Sequence, residues 1–275
     1  GGHGVSVNVA VSDCYNIGNV TASDNAAGIV GSMQDGHTVK NCYNAGEVKV
    51  TGENILDGAG AIASLVTRNN EISNCYFDAA YVSVGISNGD GETIGMTSAE
   101  MAADTFAQLL GDGFKTDPYA LVNGGYLLVI WQSTEDADAI DEVKAMIDAI
   151  GTVTADSAAA IGTARSAYDG LDEELRQYVS NLGILEAAES ALAEIQALAE
   201  AKASAAESLN GYKNPSDYRA EEQEEMARII SDGRDAIAAA ADIDAVAKAL
   251  DDAKAHLDEL KTASRLDDDE AAQAV

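Results

Sequence analysis

A short sequence appears once and then returns twice. Asp13-Cys14-Tyr15-Asn16-Ile17-Gly18-Asn19-Val20 is followed by Asn41-Cys42-Tyr43-Asn44-Ala45-Gly46-Glu47-Val48, and a truncated copy, Asn74-Cys75-Tyr76-Phe77, ends the series. The cysteines are 28 and then 33 residues apart. Each interval also holds a box of small apolar residues, Ala27-Gly28-Ile29-Val30-Gly31 and then Ala59-Gly60-Ala61-Ile62-Ala63. Two registers that recur in one order at a common period are the signature of a repeat architecture. A single copy cannot bury its own apolar face, so copies must stack. The β-prone stretches Val5 to Val9, Val48 to Val50 and Tyr81 to Ile86 alternate with Gly/Asn turn clusters. Strands stacked about 4.8 Å apart set equivalent side chains in ladders. Glycine in the small boxes lets neighbouring backbone come close. The pattern predicts an N-terminal β-solenoid.

The sequence A-G-I-V-G followed by N-C-Y-N-x-G-x-V resembles the GLUG repeat of bacterial surface proteins, over about residues 5 to 78. That family occurs in adhesins and in the non-catalytic parts of secreted IgA-cleaving metallopeptidases, and the resemblance implies a comparable setting here. The second small box departs from the pattern, with Ser64 in place of the final glycine, which puts the shape of that copy in doubt.

Residues 94 to 131 read as an α/β cap on the repeats. Thr97-Ser98-Ala99-Glu100 is a capping box. An amphipathic helix with Met101, Phe106, Leu109 and Leu110 inward should follow and stop at Gly111. The apolar run Tyr126 to Trp131 predicts a strand buried on both faces.

Beyond Ser133 glycine becomes scarce and apolar residues fall at helical spacing. Ile140, Val143, Met146, Ile147 and Ile150 form one stripe; Ile161, Ala164, Tyr168 and Leu171 form the next; Leu175, Tyr178, Val179 and Leu182 mark a third segment. The chain from Leu185 to Leu209 has no proline and no turn cluster, which predicts one long helix. Asn214-Pro215-Ser216-Asp217 reads as a helix start, and Asp242 as the cap of the last helix. The expected class is therefore multidomain: a β-solenoid with its cap over residues 1–132, then two all-α three-helix modules, 133–199 and 200–264, sharing the long helix. Residues 265–275 read as a tail or linker. The phrases M-I-D-A-I-G-T-V-T and Y-K-N-P-S-D-Y-R make the helical part similar to the FIVAR-like modules of Gram-positive surface proteins.

The cysteines lack metal-ligand spacing. Parallel ladder geometry suits buried free thiols, and a disulfide between neighbouring copies is the alternative that secretion would permit. If the strand is extended and Cys points inward, Tyr15, Tyr43 and Tyr76 point outward, as candidates to face a ligand such as a glycan. Packing of each tyrosine on the adjacent copy is the other reading. His3, His37 and His256 sit in unrelated contexts, and no catalytic or phosphate-binding motif appears. Catalytic, cofactor and metal residues are therefore expected to be none. Asn88-Gly89-Asp90-Gly91-Glu92 loosely resembles a Ca²⁺ loop but fails EF-hand spacing, and a turn is the simpler reading.

A formal net charge of −31, from 47 acidic and 16 basic side chains, makes nucleic acid and anionic membranes poor partners. No apolar run is long enough to span a bilayer. The chain opens on Gly1-Gly2-His3-Gly4 with no targeting signal, and is expected to be part of a longer one. The function expected is non-catalytic: adhesion or ligand presentation on a helical spacer, outside the cell or in the cell wall, with a host glycan or matrix protein as partner. An accessory region of a large secreted protease or glycosidase is the alternative.

Overall fold

The strands follow the repeat. In a computed structural model that describes residues 8–52 and 58–273, the first copy supplies β1 (Ala10–Asn16), β2 (Val20–Ala22), β3 (Ala26–Ala27) and β4 (Val30–Met33). The second supplies β5 (Thr38–Asn44), β6 (Val48–Val50), β7 (Ala59–Gly60) and β8 (Ala63–Val66). The third supplies β9 (Glu71–Asp78) and β10 (Ile86–Asn88), and β11 (Thr93–Met96) closes the series. Residues 5–7 of the first β-prone stretch, His3 with the opening glycines, and the last two residues of the expected tail lie outside the described residues.

Pairing is parallel and in register. The main sheet has the order β1-β5-β9-β11, and Cys14, Cys42 and Cys75 stand side by side in it, as do Tyr15, Tyr43 and Tyr76. Smaller parallel sheets, β10-β8-β4, β2-β6 and β3-β7, repeat the registration. The residue before each cysteine has a left-handed backbone: Asp13 at φ 54°, Asn41 at 52° and Asn74 at 51°. Asn and Asp tolerate that region better than other side chains do, which accounts for the residue type at this repeat position. These three side chains then bond to one another. Asn41 Nδ2 donates to Asp13 Oδ1 at 3.1 Å, and Asn74 Nδ2 donates to Asn41 Oδ1 at 2.9 Å.

A β-solenoid is not what these strands build, contrary to expectation. They form separate open sheets of two to four strands, none closed, and helices make up much of the remaining chain, so the class is α/β. The physical reason is the length of the ladders. Strands of two to eight residues pair through at most four members before β11 leads into a helix. The small boxes also pair one residue later than their sequences suggest, Ala27 against Gly60 and Val30 against Ala63. Ser64 does not distort its copy. It is fully buried, its hydroxyl donates to Gly58 O at 2.9 Å, and Leu65 stays paired with Ser32.

The expected cap is present but differs in detail. Thr97 and Glu100 form the reciprocal box, with Glu100 N donating to Thr97 Oγ1 and Thr97 N to Glu100 Oε2. Two short helices follow instead of one, α1 (Ser98–Met101) and α2 (Asp104–Leu110). Met101, Phe106 and Leu110 are buried, but Leu109 turns outward. The run Tyr126 to Trp131 forms only the two-residue strand β13 (Leu128–Val129), antiparallel to β12 (Phe114–Lys115). With so short a partner the ladder cannot cover the rest, and Ile130 and Trp131 are exposed.

The chain divides into two compact units, Gly1–Asp141 and Glu142–Val275. The boundary falls within α3 (Glu135–Asp148). The second unit is a single helical bundle region: α4 (Ala158–Gly170), α5 (Glu173–Arg176), α6 (Leu182–Asn210), α7 (Ala220–Ala239), α8 (Ile243–Glu259) and α9 (Ala263–Gln273). The 29-residue α6 is continuous, as its sequence predicts. Its first half packs on α4, where Arg165 forks onto Glu189 with two 2.7 Å bonds. Its second half packs on α7 and α8 through Leu209, and Gly233 allows the close approach: a Cβ there would meet both Ala253 and Leu209 at 2.7 Å. Asn214 caps only a 3₁₀ turn, Pro215–Asp217, whereas Asp242 caps α8 through the Ala245 amide at 2.8 Å. Residues 266–273, expected as a tail, are helical, and Asp267 and Glu270 pair with Arg219.

Candidate functional site

The chemistry-bearing side chains of the repeat diverge from the main sheet onto its two faces. The thiols enter a core with Met33, Val39, Ile62 and Ile72. All three are free, and each donates to the carbonyl two residues before it: Cys14 to Ser12, Cys42 to Lys40 and Cys75 to Ser73, at 3.0, 3.1 and 3.3 Å. Burial, aided by the neighbouring Cys42, pushes the Cys14 thiol up. A hydrogen bond to Cys75, then burial, raises Cys42 much further. Cys14 and Cys42, held neutral in this way, are poor nucleophiles and poor metal ligands at neutral pH, whereas the same bond with Cys42 draws the Cys75 thiol down from its ordinary value.

The opposite face carries the tyrosines, and α1, α2 and the β12–β13 hairpin cover it. Alternation along the strand does turn Tyr away from Cys, but away from one core is here into another. Tyr43 is fully buried and Tyr76 nearly so; Tyr15 is half-buried. The packed reading therefore replaces the ligand-facing one. Tyr15 stacks on Tyr43 with ring centroids 5.2 Å apart and planes 8° apart, and Phe106 meets Tyr43 and Tyr76 edge-on at 5.7 and 5.1 Å. The hydroxyls are also committed. Tyr43 donates to Leu127 O and accepts from Asn123 Nδ2, Tyr15 donates to Gln132 Oε1 at 3.0 Å, and Tyr76 donates to Asn74 Oδ1 at 2.8 Å. Burial holds the Tyr43 and Tyr76 phenols above their ordinary range.

Two buried carboxylates organise the covering hairpin. Asp117 accepts from the amides of Val122, Asn123 and Gly125, which ties a loop containing left-handed Tyr119 and Ala120. Asp78 accepts from the Tyr126 hydroxyl at 2.6 Å and from the Ala80 amide at 2.9 Å. Burial and that bond push the Tyr126 phenol up to about 12.

The remaining sequence candidates lie apart from one another. His37 Nδ1 accepts from the Val9 amide, and its own amide donates to Asn70 Oδ1. His256 lies in the last turn of α8, beside a groove of ≈590 Å³ between α7 and α8. The cations Arg228 and Lys248 at that groove already pair with Glu225, Asp232 and Asp252. The Asn88–Glu92 segment turns the chain from β10 to β11, with Gly89 at φ 120°. Among the described residues no three His, Cys, Asp or Glu side chains are grouped to hold a metal ion, and no helix is long and apolar enough to cross a membrane.

The surface feature that sequence reasoning missed is Trp131, the only tryptophan in the chain, which is 82% exposed beside Ile130 at 56%. Its place in a hydrophobic run argued for burial. The nearby turn signal Gln132-Ser133-Thr134 could have argued for exposure.

No protein-family model matches this chain. No curated protein and no solved structure matches it either. The resemblances to GLUG and FIVAR-like modules rest on sequence pattern alone.

Proposed function

We propose that this chain is a non-catalytic region of a cell-surface or secreted protein, in which the sheet-bearing unit presents a binding surface and the helical unit acts as a spacer. The observation that carries the reading is the exposure of Trp131 with Ile130 while every cysteine and tyrosine of the repeat is committed to packing. The repeat thus serves as architecture, and recognition moves to the end of the covering hairpin. An indole that has left its own core is suited to stacking on a sugar ring or docking in a partner's pocket. The continuous α6, roughly 44 Å at 1.5 Å per residue, supports the spacer role. The GLUG-like pattern of the repeats supports an extracellular setting, and a host glycan or matrix protein is the proposed partner.

A glycan array and a panel of immobilised matrix proteins, probed with wild type and Trp131→Ala, test this. The expected result is a ligand whose binding falls at least about tenfold in the variant, with melting unchanged because the side chain is solvent-facing. Because Trp131 is the only indole, its fluorescence should also shift on binding. Equal binding by both proteins, or no ligand in either panel, would refute the proposal.

A further inference from the structure

Asparagine followed by glycine occurs three times, at Asn88-Gly89, Asn123-Gly124 and Asn210-Gly211. The pair is chemically unstable. The glycine nitrogen can attack the carbonyl carbon of the asparagine side chain, and the missing Cβ leaves that approach open. The new C–N bond closes a cyclic imide, and the side-chain nitrogen leaves as ammonia. Water then opens the ring at either carbonyl, giving aspartate or isoaspartate.

The fold treats the three sites differently. Asn123 is buried, and its side-chain nitrogen donates to Leu127 O at 2.8 Å and to the Tyr43 hydroxyl at 3.0 Å. It cannot swing to the Gly124 nitrogen without giving up both partners inside the core. Asn210 is exposed but ends α6, and the Gly211 amide that would attack donates to Glu207 O at 3.2 Å. The fully buried Leu209 anchors that turn. Asn88 is exposed, as are Gly89 and Asp90 after it. It is the last residue of β10, an edge strand that pairs with β8 in its sheet. Only the end of one ladder must open for Asn88 to reach the geometry of the imide, and strand ends open most easily.

Conversion at this position has a structural consequence. A Cβ at Gly89 would lie 2.1 Å from Val66 O, so the chain just after Asn88 is seated against the second copy. Isoaspartate adds a backbone carbon before Gly89 and moves it off that seat. Either product adds a carboxylate beside the exposed Asp90 and Glu92, where like charges repel.

We propose that Asn88 is a site of spontaneous deamidation, with water as the co-reactant, and that its conversion loosens β10 from β8. Loss of ammonia makes the change one-way, so the converted fraction records how long a chain has stood folded.

The full chain is incubated in mildly alkaline buffer, and peptide mapping by mass spectrometry follows each asparagine. Asn88 should convert at least about tenfold faster than Asn123 and Asn210. In denaturant, where no fold distinguishes the pairs, the rates should converge. Asn88→Gln, whose longer side chain closes the ring poorly, should block conversion at that position and leave the melt unchanged. Hydrogen exchange in the converted chain should speed up across β10 and stay the same across β5. An unconverted Asn88, equal rates at the three sites in the folded chain, a difference that persists in denaturant, or β10 exchange unaltered by conversion would each overturn the proposal.

Discussion

Gly18 and Gly46 occupy the same place in the repeat, yet alanine should act oppositely at the two. At Gly46 the new Cβ would meet Gly18 O at 2.0 Å and Gly18 C at 2.7 Å, both backbone atoms that no side-chain rotation can move. Relief requires β1 and β5 to separate locally by roughly 1 Å, since carbon–carbon contacts are optimal near 3.5 to 4.0 Å. That opening strains the bonds Ala45 N to Asn16 O and Val20 N to Glu47 O, both 2.8 Å, and Glu47 N to Asn19 Oδ1 at 3.1 Å. At about 1 kcal/mol for each bond lost, Gly46→Ala should cost about 2–4 kcal/mol. At the per-residue unfolding entropy of globular proteins, the first unit should then melt roughly 10 °C lower. Gly18→Ala meets nothing closer than 3.6 Å and should be neutral, or stabilising by a few tenths of a kcal/mol through the unfolded chain. Denaturant melts followed by near-UV circular dichroism of the tyrosine cluster, with exchange protection of β5 as a second readout, measure the difference. Two variants within about 1 kcal/mol of each other would refute the argument from close approach.

Ala197→Pro, in the middle of α6, should remove a backbone bond and clash with the preceding turn at about 3 kcal/mol. Thermal melts of the helical signal should register it, and an unchanged melt would mean that α6 is not continuous. The raised Tyr126 phenol predicts alkaline lability with a definite sign. Its folded value of about 12 lies above the ordinary 10, so its stabilising contribution is complete below pH 10 and is lost as pH rises towards 12. Tyr43 and Tyr76, shifted the same way, steepen the loss, and Tyr126→Phe should flatten it in stability-versus-pH curves. The thiols should react slowly with a thiol reagent in the folded chain, Cys14 first because it is least buried, and all three quickly in denaturant. A native mass two units below the reduced form would show a disulfide instead.

The features that could be read before any folding are local or periodic. The spacing of Cys14, Cys42 and Cys75 fixed which residues stand side by side, because parallel pairing of equivalent copies needs only the repeat. The recurrence of Asp13, Asn41 and Asn74 ahead of each cysteine was legible in the repeat, but the left-handed backbone that calls for Asp or Asn there appears only in the structure. The Thr97–Glu100 box, the Asp242 cap and the helix from Leu182 to Asn210 likewise depend on hydrogen bonds and apolar spacing within a few turns. Tertiary structure decided what covers each face. Tyr43 points away from the thiols whether it meets water or Phe106, and only the fold of α2 and the β12–β13 hairpin over it chooses burial. Trp131 belongs to an apolar run, but the two-residue partner β12 ends the pairing before it and leaves it outside. Residues 266–273 are polar and weakly patterned, and they are helical beside Arg219, whose charge lies 48 residues earlier in the chain. The β-solenoid failed as an expectation for the same reason. Register is written in each copy, whereas how far ladders extend and whether sheets close depend on contacts that no single copy contains.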